Sequence, residues 1–166
     1  MAGNGTIALE IVEDLPEVDA IVVPWGGGGL TCGIAAAMRA LNSKCRVYAA
    51  EVATAAPLAA SLAKGSPQTV DYEPSFVDGI GSKMVFPQML ARAQELIDGS
   101  LVAELDEAAC ALRLMAERNH IIAEGAAACS VACALAGKAG NGKVVCIVSG
   151  GNIDTAVLCR ILAGEQ

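Results

Sequence analysis

Aromatic residues are almost absent from this 166-residue chain: two Phe, two Tyr and one Trp make up 3% of it. A core without large rings must close through many small side chains, and 54% of the residues are apolar, dominated by Ala, Val, Ile, Leu and Gly. Charge is also sparse, at 17%, and biased: eleven Lys and Arg against eighteen Asp and Glu leave a net charge of −7. With no basic patch, a nucleic-acid partner is excluded. There is one histidine, and the seven cysteines contain no CxxC pair. Most of them sit in apolar runs, as Cys146 does within 144–148, which reads as reduced, buried thiols in a cytoplasmic protein. Cys129 and Cys133 share a helix face, but even with His120 they fall one ligand short of a closed zinc site. Long uncharged stretches are missing too. The longest, 121–137, is broken by Glu124 and Gly125, so no membrane span is expected. The opening Met1-Ala2-Gly3-Asn4 carries no signal-peptide pattern.

What is present is an alternation of helix and strand. Helices are expected over 5–15, 30–41, 57–64, 88–97, from an N-cap at Asp106 to about Asn119, over 126–136, and after an N-cap at Asp154. Apolar strands are expected at 20–24, 46–52, 101–104 and 143–148. Residues 66–87, punctuated by Pro67, Pro74 and Pro87, form the least regular segment, and loops of that length are often functional. The pattern predicts one α/β unit over 1–166, with a mostly parallel sheet and helices on both faces. Ligands of such sheets bind beyond the carboxyl ends of the strands, where both Gly-rich stretches fall. The low charge suggests apolar surface that expects a partner, so a homo-oligomer is expected.

The first Gly-rich stretch is Gly26-Gly27-Gly28-Gly29, between a strand and a helix. A plain turn there needs one or two glycines. Four let the backbone approach a ligand closely, with successive N–H groups and a helix N-terminus facing an anion. The ligand class is a phosphate or sulfate group. No Lys-Ser or Lys-Thr follows, so this is not a P-loop, and GxGxxG fails at Thr31 or Cys32. Glu51, ending the next strand, stands where an acid would grip a ribose, which keeps a nicotinamide-dinucleotide module open as an alternative. The second stretch, Ser149-Gly150-Gly151-Asn152, follows a strand; with Asp154 available as the helix cap, Ser149 is free to meet a ligand.

These motifs, in this order, carry a family resemblance. Ala2–Thr6, the loop Val23-Pro24-Trp25-Gly26-Gly27-Gly28-Gly29-Leu30, the strand Val47–Glu51, Val77-Asp78-Gly79-Ile80, Glu124-Gly125-Ala126-Ala127 and Ser149–Asn152 together resemble the C-terminal half of fold-type II pyridoxal-phosphate enzymes. Within these the chain looks most like the threonine/serine dehydratase and serine racemase group. The resemblance implies that Gly26 to Gly29 and Leu30 hold the phosphate of pyridoxal 5'-phosphate through backbone N–H groups. It implies that Ser149, with Gly150 beside it, hydrogen-bonds the pyridine nitrogen, that Gly79 lines the ring edge and that Glu124 sits near the ring. Glu51 resembles a metal-binding carboxylate of some members, although the second carboxylate would fall at Pro57.

The family's Schiff-base lysine, in a Ser-x-Lys-x-Arg context, has no counterpart here, nor does its substrate-gripping Ser-Gly-Asn-His loop. Of Lys44, Lys64, Lys83, Lys138 and Lys143, only Lys83 follows a loop expected near the glycines. The resemblance therefore implies a dehydratase-like fragment that is inactive alone and pairs with a complementary N-terminal half. A non-catalytic phosphate-binding or assembly module is the other alternative.

Overall fold

A run of five residues without one polar side chain, Ala20–Pro24, orders everything else. In the computed structural model, which describes residues 1–165, it forms β1 (Ala20–Pro24), buried from end to end. Three more strands, β2 (Arg46–Val52), β3 (Gly99–Ala103) and β4 (Val144–Cys146), complete a parallel sheet in the order β3-β2-β1-β4. The described residues also form the helices α1 (Thr6–Asp14), α2 (Gly29–Ala40), α3 (Pro57–Lys64), α4 (Pro87–Leu96), α5 (Leu105–Leu114), α6 (Gly125–Leu135) and α7 (Thr155–Ala163).

Side chains of a strand point alternately to its two faces, and the two cores follow that rule. Ile21, Val23, Val47 and Ala49 pack with Ile34, Met38 and Leu90 from α2 and α4. Ala20, Val22, Ala50 and Val52 pack instead with Ala108, Leu112, Ala126 and Ala127 from α5 and α6. Both faces of the sheet are thus covered, as the unbroken apolar strands require. Helix α6 is buried at eight of its eleven residues, which explains its small-residue sequence: nothing larger fits between the sheet and α5. Ser130, inside it, donates its hydroxyl to the carbonyls of Ala127 (2.8 Å) and Ile147 (2.9 Å), tying α6 to the end of β4.

The expected elements are present, with shifted ends. Strand β3 starts at Gly99 and stops at Ala103, because Glu104 is drawn out as the N-cap of α5. Its side chain accepts from the backbone of Glu107, whose own carboxylate accepts from the Glu104 N–H. That reciprocal capping box leaves Asp106 in the first helical turn and not at the cap. A π-turn over Met115–Asn119 extends α5 and ends at His120 in the left-handed region, with φ 58°. The connection 65–86 holds no helix. It is pinned by the burial of Val77 and Ile80, which fixes the position of Gly79 between them.

Candidate functional site

Strand β1 ends in the middle of the sheet, and the four glycines carry the chain from there into α2. They are not equivalent. Gly28 has φ 80°, and a Cβ placed on it would lie 2.5 Å from the Trp25 ring and 2.9 Å from the Met89 methyl. The fold alone demands glycine there. A Cβ on Gly26 would touch the Gly79 carbonyl oxygen at 3.4 Å. Gly27 meets nothing within 4 Å, and Gly29 only the Met1 side chain at 4.0 Å. Packing does not account for those two. Among the described residues, no N–H from Gly26 to Leu30 finds a protein acceptor, so a row of donors faces outward at the N-terminus of a twelve-residue helix. The loop itself is held firmly: Trp25 is buried and its N–H donates to Ala50 (2.8 Å), while the Thr31 hydroxyl reaches back to the Pro24 carbonyl (3.2 Å).

Over this loop lies a pocket of about 170 Å³. Gly26, Gly27, Gly28, Gly29 and Leu30 form one side of it, Gly79 and Glu124 another, and Ser149 closes the far end. Four separate stretches of the sequence are thus brought together beyond the carboxyl ends of β1 and β4. Gly150 lies immediately behind: a Cβ on it would be 2.8 Å from the Glu124 carboxyl carbon. The α7 N-terminus is capped by Asp154, which accepts from Ala156 (2.8 Å) and Val157 (3.2 Å), so Ser149 is exposed and not used as a cap. Glu124 occupies the N-cap position of α6 but makes no side-chain cap bond there. Its carboxylate accepts instead from the Asn152 N–H at 3.2 Å. Pro24, Ile80 and Ala126, which lie inside three of the motifs but were given no role from the sequence, supply further walls. A larger apolar hollow of about 250 Å³ between α5 and α7, walled by Phe76, Leu105, Val157 and Ile161, offers no comparable row of donors.

Glu51 does not serve a ligand. It is 1% exposed, and its carboxylate accepts from the Leu58 N–H (2.8 Å), the Ala59 N–H (2.7 Å) and the Ser100 hydroxyl (2.7 Å). It caps α3 from the end of β2, with burial raising its pKa against those three bonds. Both oxygens already accept from the protein and the residue is sealed from solvent, an arrangement that fits neither the ribose-gripping nor the metal-binding role. The cysteine site is not assembled either: Cys129 and Cys133 are buried in α6, where burial raises their thiol pKa values to about 12 and about 11, and no third ligand among the described residues joins them. No group of three or more His, Cys, Asp or Glu side chains among the described residues could hold a metal. Lys83 does not border the pocket; its carbonyl accepts from Val70 in the 65–86 connection. Lys138 donates to the Val102 carbonyl (2.8 Å) and to Glu107 (2.7 Å), and Lys143 pairs with Glu17.

The family model described as "Pyridoxal-phosphate dependent enzyme" matches residues 1–150. The chain belongs to this family. Pyridoxal phosphate is accordingly the family's cofactor, and a row of unpaired N–H groups at a helix N-terminus has the chemistry that suits a phosphate group. The chain is 37% identical to an L-threonine ammonia-lyase of Thermotoga maritima over 98% of its own length and 41% of that protein's. It is 38% identical to the serine racemase of Homo sapiens, over 93% and 47%. In structure it resembles the processed form of threonine deaminase isoform 2 from Solanum lycopersicum, with a TM-score of 0.87 at 31% identity, over 98% of this chain and 46% of that one. The chain spans about half the length of the relatives it matches, and its fold is part of the large domain of fold-type II enzymes. No helix among the described residues is long and apolar enough to cross a membrane.

Proposed function

We propose that this chain provides the phosphate-gripping and ring-nitrogen side of a pyridoxal-phosphate site in an ammonia-lyase-like enzyme. The reaction would convert a hydroxy-amino acid to a 2-oxo acid and ammonia, by loss of water and then hydrolysis. The observation that carries this reading is the pair Gly27 and Gly29: two glycines that packing does not need, in a row of unpaired N–H groups that shares one pocket with Ser149.

When bound, the cofactor supplies an electron sink for charge developing at the substrate's α-carbon. The residues of this chain bind and orient it. The Gly26–Leu30 N–H groups and the α2 dipole hold the phosphate. The Ser149 hydroxyl donates to the pyridine nitrogen without giving it a full positive charge, which keeps the sink mild. Ile80 and Ala126, apolar walls of the same pocket, would exclude water from it. No lysine borders the pocket, so the anchoring and proton-transferring amine is assigned to a complementary half.

The test is equilibrium binding of pyridoxal phosphate to the 166-residue chain, competed with inorganic phosphate, beside an assay for 2-oxo acid from threonine and serine. Binding that phosphate displaces, with no turnover, is the expected result. Turnover by the chain alone, or binding indifferent to phosphate, overturns the proposal.

A further inference from the structure

The pocket has two ends, a glycine cup on a central strand and a hydroxyl on a loop after an edge strand, and their separation must be set by something stiffer than the second loop. Glu124 lies between them. Its N–H donates to the Gly150 carbonyl at 3.0 Å, and its carboxylate accepts from the Asn152 N–H at 3.2 Å. One residue thus grips the 149–152 loop by main chain and side chain at positions two apart. The fit is close: a Cβ on Gly150 would stand 2.8 Å from both the Glu124 carboxyl carbon and Oε2, and 2.9 Å from Oε1.

The other side of the same carboxylate faces the cup. A Cβ on Gly79 would lie 3.1 Å from Glu124 Oε1, and the Gly79 carbonyl is in turn the nearest neighbour of Gly26. Gly26, Gly79, Glu124 and Gly150 are therefore spaced so closely that a methyl group on any of the three glycines would meet the next member of the series. Glu124 is itself fixed at the start of α6, the most buried helix of the fold, whose Ser130 is bonded to Ile147 two residues before Ser149. Its side chain is not spent on its own helix.

We infer that Glu124 is a positioning residue: its carboxylate staples the Ser149 loop to α6 and so fixes the distance from the phosphate cup to the ring-nitrogen donor. The inference rests on the pyridoxal-phosphate reading for its purpose, but the staple is measurable without any ligand. The role needs an acceptor oxygen at that place and not a charge, so Glu124→Gln keeps it and Glu124→Ala loses it.

The experiment compares the wild-type chain, E124Q and E124A by amide hydrogen exchange at 150–153, and by affinity for pyridoxal phosphate and for inorganic phosphate. In E124A, exchange at Asn152 rises about tenfold, the scale of one lost hydrogen bond. Affinity for pyridoxal phosphate falls by about the same factor, while inorganic phosphate, which needs only the cup, changes less than about twofold. E124Q stays within about threefold of wild type on every readout. Unchanged exchange at Asn152 in E124A overturns the staple, and an E124Q variant as impaired as E124A shows that charge, not position, is what Glu124 supplies. If wild type fails to bind pyridoxal phosphate, the functional proposal falls while the exchange comparison still decides the staple.

Discussion

The two Gly-rich loops look alike in sequence, yet they are built on opposite foundations. Gly26–Gly29 leaves a central strand buried over all five residues and bonded on both sides. Ser149–Asn152 leaves β4, three half-buried residues paired on one side only. The first loop is held by what lies beneath it, chiefly Trp25 and Thr31. The second is held by a neighbour, Glu124. A phosphate grip gains from the rigid loop, because preorganised donors bind without an ordering cost. A hydroxyl that must meet a ring atom depends on borrowed rigidity, which places its adjustment in a residue outside the loop.

Substitutions should separate the two foundations, and the largest effect belongs to the first loop. Gly28→Ala forces an L-residue to φ 80° with its Cβ 2.5 Å from the Trp25 ring. It should cost about 3 kcal/mol or more in a denaturant titration. Gly27→Ala, one residue away in open space, should stay within about 0.5 kcal/mol of wild type. Equal losses in the two would show that the loop is a single structural turn.

Next in size is the frame beside the cup. Burial raises the Glu51 pKa above its unfolded value. The protonated form is therefore favoured on folding, and this contribution, complete below about pH 4.3, is lost as pH rises through the raised folded value. Stability measured relative to Glu51→Gln, which does not titrate, should decline over that window; a difference that grows with pH refutes the burial argument.

The smallest effects belong to the second loop. Asp154→Ala should cost about 1 kcal/mol by uncapping α7, whereas Ser149→Ala should cost less than about 0.5 kcal/mol. Reversed sizes in thermal melts would make Ser149 a structural residue.

Legibility in the sequence followed the range of the interactions. The strand 20–24, the glycine cup and the Asp154 cap are local: apolar runs, turn residues and cap chemistry announce them within a few positions. Glu51 was misleading because its partners, Leu58, Ala59 and Ser100, lie on a following helix and a neighbouring strand, and no spacing rule reveals that both oxygens are already occupied. Glu124 was legible as a helix-start acid near the site, but its bond to Asn152 spans 28 residues and depends on how β4 returns beside β1. The start of α5 was misplaced for a simpler reason: Asp106 is a better intrinsic N-cap than Glu104, but the reciprocal pair with Glu107 outbids it.

The sheet's two boundaries are also finished differently. On β3, which has a strand on one side only, the Val102 carbonyl is occupied by the Lys138 ammonium. On β4, the Lys143 carbonyl and the Ile147 N–H are both turned toward β1, so by the strand's alternation the amides of Val144 and Cys146 face away from it. A parallel sheet is a lattice with a step of about 4.8 Å. This one is terminated by a cation at one boundary and left as an open row of amides at the other, so its two edges are chemically unlike: the unsealed one is the side of the sheet from which the Ser149 loop emerges.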